Sequence, residues 1–466
     1  MRVKIGLETH LQLATKTKAF CSCRNPAALV KEPAPNTLTC PTCLGLPGSM
    51  PMTNERMLEA GVLVGIALNC KVAAQAEFSR KNYFYVDLAR NYQLTQETPL
   101  GKKGFLDVSG KRVSIRSVHM EEDPAKLVHV GGLGGEVLAD YNRSGIPLLE
   151  IVTEPCIASP KEARLYVQKL ALILEYLGLY NPDSRAVIKS DANVSVNNGA
   201  RVEVKNITGT KEVEKALGYE IARQTSVARK GRVEQVTRAW LPERGMTQQL
   251  RSKEAAEEYG YITEPDLARI EIPPELLKQL AKRLPELPDQ KLERFRKQHR
   301  LSPATAEALI SDPNLADAFE TVAKGLGDPG LAGSWMAGYL KKTLNYHSIT
   351  FQQSGVKATS LVYLLRLFKN RQITDRNAEL TIRGMVAEKK PAVELVKKHC
   401  YKVQQFDIQF LLKDLLKNNP RAVKDFCHGE TKALHFLVGQ AVKATKGSVP
   451  AQDVRKALLV LLEKHR

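Results

Sequence analysis

The sequence predicts an α+β protein: an N-terminal mixed-sheet body bearing a zinc knuckle, followed by all-α modules. Three observations carry this. Short β-branched runs alternate with turn residues over about the first 270 positions. After Ile272-Pro273-Pro274 and Leu284-Pro285-Glu286-Leu287-Pro288 the texture changes to consecutive helical patterns with few β-branched runs. Two close cysteine pairs lie near the N-terminus.

In chain order, Lys4–Leu7, Phe105–Val108, Val113–Val118, Asn193–Val196 and Val202–Val204 read as strands. Helices fit Glu55–Leu68 behind an Asn54 cap and Pro160–Leu177, where Ser159 caps, proline opens the first turn and Gly178 stops. Further on, Ser302-Pro303 opens Ala304–Ile310, and Ala392–Lys398 and Val454–Lys464 show apolar spacings of three and four.

The 466 residues are 43% hydrophobic and 26% charged, the balance of a folded chain of about three domains. No apolar run reaches the ~18 residues that cross a bilayer, and the first strand follows Met1 almost directly, so a cytoplasmic, membrane-free protein is expected. Charge is uneven: residues 331–466 hold 24 basic and 10 acidic side chains, +14 of the total +19. A polyanion suits such a tail, nucleic acid first; a solvated basic surface is the plain alternative.

Cys21-Ser-Cys23 and Cys40-Pro-Thr-Cys43 read as four thiolates around one Zn²⁺, a structural site because no coordination position stays open. Buried core thiols or a redox pair are the alternative. The isolated Cys70, Cys156, Cys400 and Cys427 read as core residues.

Four places in the N-terminal body hold oxygen or imidazole ligands at strand spacing. Glu8 and His10 point to one face of a strand while Leu7 and Thr9 point to the other. Asp191, Asn193 and Ser195 repeat the spacing, as do Glu203 and Lys205, and His119-Met120-Glu121-Glu122-Asp123 adds three acids after a strand. Crowded carboxylates repel unless a cation lies between them, and hard oxygens with one imidazole suit Mg²⁺ or Mn²⁺, which usually carries a nucleotide phosphate. A polar sheet face open to water is the alternative. Between these places, Arg80-Lys81-Asn82-Tyr83-Phe84-Tyr85-Val86-Asp87 sets cations beside aromatics able to stack on a base. Gly131–Gly135 lacks the context of a dinucleotide fingerprint and no P-loop motif occurs, so ATP would bind by other means.

Together, Gly6–His10, Phe20–Cys23, Cys40–Gly48, Arg80–Asp87, Glu121–Asp123, Asp140–Val152, Asp191–Ser195, Glu203–Asn206, Arg251–Glu254 and Glu264–Leu267 resemble the motifs of the B subunits of aspartyl/glutamyl-tRNA amidotransferase. The resemblance covers nearly the whole chain, and its length fits the B type rather than the longer archaeal E type. It implies a cradle domain over 1–290 with the zinc and ATP/metal sites, a helical domain over 291–395, and a tRNA-binding tail domain over 396–466.

The resemblance further implies a glutamine-dependent carbon–nitrogen ligase. Such proteins use ATP to phosphorylate the side-chain carboxylate of Glu-tRNA(Gln) or Asp-tRNA(Asn), and ammonia then displaces phosphate. The chain has no Gly-Gly-Ser-Ser stretch of amidase enzymes; by resemblance ammonia comes through a tunnel from an amidase partner, the A-type chain of the complex, with a small C-type chain completing a heterotrimer. The implied catalytic residues are Glu8, His10, Glu122 and Lys81. Arg80, Tyr83, Tyr85, Lys205 and Asn206 would bind nucleotide or substrate, and Glu8, His10, Glu121, Glu122, Asp191 and Glu203 would bind Mg²⁺. Val86, Ala89, Arg90, Lys189, Ser190 and Gly260 depart from the family pattern. A non-catalytic, zinc-stabilised tRNA-binding protein and a stand-alone metal-dependent ligase are the competing readings.

Overall fold

In a computed structural model of the chain, the described residues are 2–130, 136–252, 260–399, 401, 408–428, 430–445, 449 and 451–463. The glycine run 131–135, Lys253 and Glu254 of the Arg251–Glu254 motif, Cys400, Lys402 and Lys446 lie outside them. Two compact units divide after Leu287, and no helix among the described residues is long and apolar enough to cross a membrane.

The first unit is built on a nine-stranded mixed sheet. From one edge its strands run Met246–Ser252, Val236–Leu241, Val202–Thr208, Ile188–Val196, Val3–Gln12, Pro147–Thr153, Lys111–Glu122, Gly101–Val108 and Lys71–Val72. Among the described residues, only Val202–Thr208 and Val236–Leu241 pair in parallel. Side chains alternate along each strand. Ile5, Leu7, Leu11, Ala192, Val194, Leu149 and Ile151 therefore enter one core with helices Glu55–Ala67, Pro160–Tyr176 and Thr210–Ala228. The opposite face keeps Glu8 and His10, faced by a smaller sheet of Gly260–Thr263, Ser79–Asn82 and Tyr92–Thr95. The expected caps are present: Asn54 accepts from the Arg56 amide and Ser159 from the Glu162 amide.

Strands extend past their β-branched cores wherever a neighbour offers a ladder. The expected Val113–Val118 strand runs over Lys111–Glu122, because Glu121 pairs with Leu148 and Glu122 with Pro147. The acid block is thus inside the strand for its first two members, not after it, and alternation sends Glu121 and Glu122 to opposite sides. Pro147–Thr153, for which sequence reading offered no element, is the strand beside Val3–Gln12.

The second unit, Pro288–Arg466, is helical throughout its described elements. It holds two separate apolar cores, one from Phe295 to Val396 and one from Leu412 to Leu462. Ser302, Asp312, Asp328 and Thr350 cap four of its helices through their side chains.

Asn54 links the first helix to the chain entering the cysteine region, since its side-chain amide donates to the Thr17 and Lys18 carbonyls at 3.1 Å while its oxygen caps the helix. Asn54→Ala is expected to cost about 1–2 kcal/mol, read as a melting temperature a few degrees lower. An unchanged melting curve would show that this link contributes nothing.

Candidate active site and metal centre

Register alone gathers an acidic group on the open sheet face. Glu8 lies opposite Val152 on one neighbour and Asp191 on the other, and His10 lies opposite Glu150 and Lys189. One strand further, His119 faces Glu150 and Glu121 faces Leu148. The His10 Nε2 atom consequently sits 3.5 Å from Glu8, 3.5 Å from Glu121 and 3.8 Å from Glu150. Glu8, His10 and Glu150 offer ligand atoms close enough together to hold one metal ion. They line a cleft of about 730 Å³ with Lys81, Tyr83, Tyr85, Asp123, Lys189, Asp191, Lys205 and Asn206.

The electrostatics are those of a site waiting for positive charge. Burial raises the Glu8 carboxyl above its ordinary range, and Glu150 and Asp191 raise it further. Burial likewise pushes Glu121 up to about 8, against the pull of His10. Burial pushes His10 down, but Glu121, Glu8 and Glu150 outweigh it and the imidazole ends above its usual value. Three carboxylates and one imidazole form the hard, mostly oxygen donor set that Mg²⁺ or Mn²⁺ accepts.

Beside this group, Lys205 Nζ stands 3.5 Å from both Asp191 and Glu203. A bulge places Lys205 and Asn206 together against Asp191, with Asn206 left-handed at φ 66° so that its amide donates to Asp191 at 3.1 Å. The Glu203 carboxylate also accepts from Thr237 at 3.1 Å. Across the cleft, Lys81 stands 5.9 Å from the Tyr83 ring centre. Strand alternation turns Arg80 the other way, into a two-pronged pair with Glu264 at 2.7 and 2.9 Å and over the Tyr92 ring. Arg80 is not among the cleft-lining residues. Glu122 is also not brought to the His10 group: it turns to the side of Arg90, with which it pairs, and accepts from the Leu94 amide.

Three cleft residues stand outside the catalytic, binding and metal sets that the sequence implied, although Asp123 was named there within the acid block. Glu150 is the third carboxylate around His10, and its signal was present as a lone acid within Leu148-Leu149-Glu150-Ile151. Asp123 accepts from Gln12 at 2.6 Å at the cleft floor. Lys189, noted only as a departure from pattern, lines the cleft as a half-buried ammonium whose desolvation lowers its basicity.

The sulfurs of Cys21, Cys23, Cys40 and Cys43 lie within 4.8 Å of one another and can hold a metal ion such as zinc. The Cys40 amide donates to Cys43 Sγ at 3.2 Å. A hydrogen bond from Cys21 holds the Cys43 thiol down at about 4 despite burial, with Lys18 helping, while that bond and burial drive Cys21 strongly up. The knuckle is fixed to the site: Ser144 donates to the Cys43 carbonyl at 3.0 Å and Arg90 to the Thr42 carbonyl. Gly45, at φ 67°, lies so near the Ala89 carbonyl that a Cβ would sit 2.9 Å from it.

Comparison with known sequences agrees with this architecture. The GatB/GatE catalytic domain matches residues 3–278 and the GatB domain matches residues 317–462. The B subunit of aspartyl/glutamyl-tRNA(Asn/Gln) amidotransferase from Methanosarcina barkeri is 42% identical over 98% of this chain and 97% of its own length. Its counterpart from Methanospirillum hungatei is 42% identical over 99% of this chain and 98% of its own, and that from Carboxydothermus hydrogenoformans 39% over the same shares.

Protein purified without chelator is expected to contain one zinc per chain, lost on Cys43→Ser. Elemental analysis finding no zinc in the native protein would refute the assignment of the four thiols.

Proposed function

Because the chain belongs to the family of aspartyl/glutamyl-tRNA amidotransferase B subunits, we propose that it activates the side-chain carboxylate of Glu-tRNA(Gln), Asp-tRNA(Asn) or both, and amidates it. The observation that carries this is the single cleft in which a ring of carboxylates around His10 faces a wall of lysine and tyrosines.

A bare carboxylate resists ammonia because oxide would have to leave. In the proposed reaction a carboxylate oxygen attacks the γ-phosphorus of ATP, the bond to the β-bridging oxygen breaks, and ADP departs. Ammonia then adds to the acyl phosphate, hydrogen phosphate leaves with one proton from nitrogen, and the amide remains. Glu8, His10, Glu121 and Glu150 are the residues that fit a divalent ion, with Asp191 and Glu203 nearby. Such an ion would offset charge on the transferred phosphoryl group. Lys81 and Lys205 add fixed positive charge, while Tyr83 and Tyr85 offer flat faces to the terminal adenosine of tRNA. Glu122, paired with Arg90, acts in this reading by holding the loop after Tyr85 rather than by touching substrate.

Ammonia is assigned to the amidase partner, the A-type chain, stabilised by the small C-type chain. The basic helical unit is assigned to tRNA, held chiefly through phosphate contacts and shape. In the assembled complex, Glu8→Ala, His10→Ala or Glu150→Ala should abolish ATP-dependent amidation, a loss of several kcal/mol of transition-state stabilisation, while glutamine hydrolysis persists. Normal phosphorylation of mischarged tRNA by these variants would sink the reading.

Deleting residues 396–466 removes Lys397, Lys398, Lys413, Lys417, Arg421, Lys424 and Lys443 from the described segment, and Lys402 and Lys446 outside it. The expected result is a raised KM for aminoacyl-tRNA, with salt dependence flatter by roughly 0.7–0.9 log unit per lost phosphate contact, and unchanged use of ATP. Equal affinities and slopes in a fluorescence titration of labelled tRNA would leave the tail without this role.

A further inference from the structure

Lys18 carries a long, charged side chain, yet the fold hides it completely, at 0% exposure. An ammonium taken out of water is costly unless opposite charge lies beside it. Among the described residues no carboxylate comes within ion-pair distance of Lys18. Its Nζ atom donates instead to Cys43 Sγ at 3.5 Å and to the Tyr141 carbonyl at 3.2 Å. Glu122 approaches the same spot but pairs with Arg90. A Cβ on Gly145 would lie 3.5 Å from Lys18 Cδ, 3.6 Å from Cys43 Cβ and 3.8 Å from Glu122 Oε2.

The backbone fixes this side chain from both ends. The Lys18 amide donates to the Cys23 carbonyl at 3.0 Å, which ties it to the first cysteine pair, and its carbonyl accepts from Asn54 of the first helix at 3.1 Å. At the far end, the Tyr141 amide donates to the Asn36 side chain at 2.7 Å, and Asn142 accepts from the Leu38 amide at 2.7 Å. Tyr141 and Asn142 thereby grip the chain that joins the two cysteine pairs. Lys18 thus spans from one cysteine pair to the support of the other, with its charge delivered at a sulfur.

Four thiolates on one Zn²⁺ leave an excess of two negative charges, and away from water such an excess must be met by cations or N–H donors around the ligands. The Cys40 amide supplies one donor at Cys43 Sγ. We propose that Lys18 supplies the counter-charge: it is a positioning residue, outside the ligand set, that governs how firmly the four cysteines hold their metal. The proposal rests on the assignment of the four thiols to zinc and adds to it the reason a lone ammonium is buried at Cys43.

The test uses the full-length chain loaded with zinc, and with Co²⁺ as a spectroscopic probe of the same site. In competition with a chelator, Lys18→Met should hold zinc about tenfold more weakly, the scale on which groups outside the ligand set alter metal affinity. Lys18→Gln, which keeps a donor for the Tyr141 carbonyl but no charge, should lose as much. In the Co²⁺ form the d–d bands of a four-thiolate site should stay in place in both variants. The sulfur-to-cobalt charge-transfer band should move to lower energy, because removing the cation raises the energy of the sulfur electrons. The rise in melting temperature on adding zinc should shrink in both. Wild-type zinc affinity with an unmoved charge-transfer band in Lys18→Gln would overturn the role of Lys18 and leave the zinc assignment standing. Melting temperatures lowered equally with and without zinc would mark a residue that only packs, and would overturn it as well. A wild-type chain that takes up neither zinc nor Co²⁺ would defeat the assignment itself and the proposal with it.

Discussion

Three carboxylates pressed around one imidazole on a half-closed sheet face are the constraint from which the rest of the N-terminal unit can be understood. Burial raises the Glu8 and Glu121 carboxyls above their ordinary range, and the neighbouring Glu150 carboxylate raises both further. A sheet places them together at no conformational cost, because rigid strands in fixed register set each side chain against its neighbours. The opposite face explains the rigidity: the same strands bury Ile5, Leu7, Leu11 and Ile151 under helices, so a one-residue slip would drive acids into the core.

The cysteine knuckle and the loop after Tyr85 form the second layer of support. Glu122 points away from the acidic group, yet it holds Arg90, and Arg90 reaches the Thr42 carbonyl of the knuckle. Lys18, fully buried with its ammonium 3.5 Å from Cys43 Sγ and 3.2 Å from the Tyr141 carbonyl, adds positive charge on the other side. In this arrangement a metal held by the four thiols would stiffen the floor on which the Lys81–Tyr85 wall stands. The arginine at position 90, a departure from the family's usual lysine, reaches two partners at once with its planar fork.

Much of this was legible in the sequence. Period-two spacing placed Glu8 with His10 and Glu203 with Lys205 on one face, and paired cysteine spacing marked the thiol cluster. Helix caps at Asn54 and Ser159 were readable because their chemistry is local. What escaped was set by pairing between distant segments. Nothing local says that the strand Lys111–Glu122 continues through its acids, so Glu121 and Glu122 read as one block and were given one role. Glu150 was hidden because its strand starts at a proline and its charge interrupts an apolar run. Arg80 and Lys81 read as a joint cationic pair, but a strand of only four residues separates their faces.

The account stands on a divalent ion held by Glu8, His10, Glu121 and Glu150, and spectroscopy of the assembled complex with Mn²⁺ in place of Mg²⁺ tests this directly. The predicted result is one tightly held Mn²⁺ whose electron spin couples to an imidazole nitrogen, with the coupling lost in His10→Gln and the ion itself lost in Glu150→Gln. A bound Mn²⁺ without nitrogen coupling, or one unaffected by both substitutions, would contradict the account.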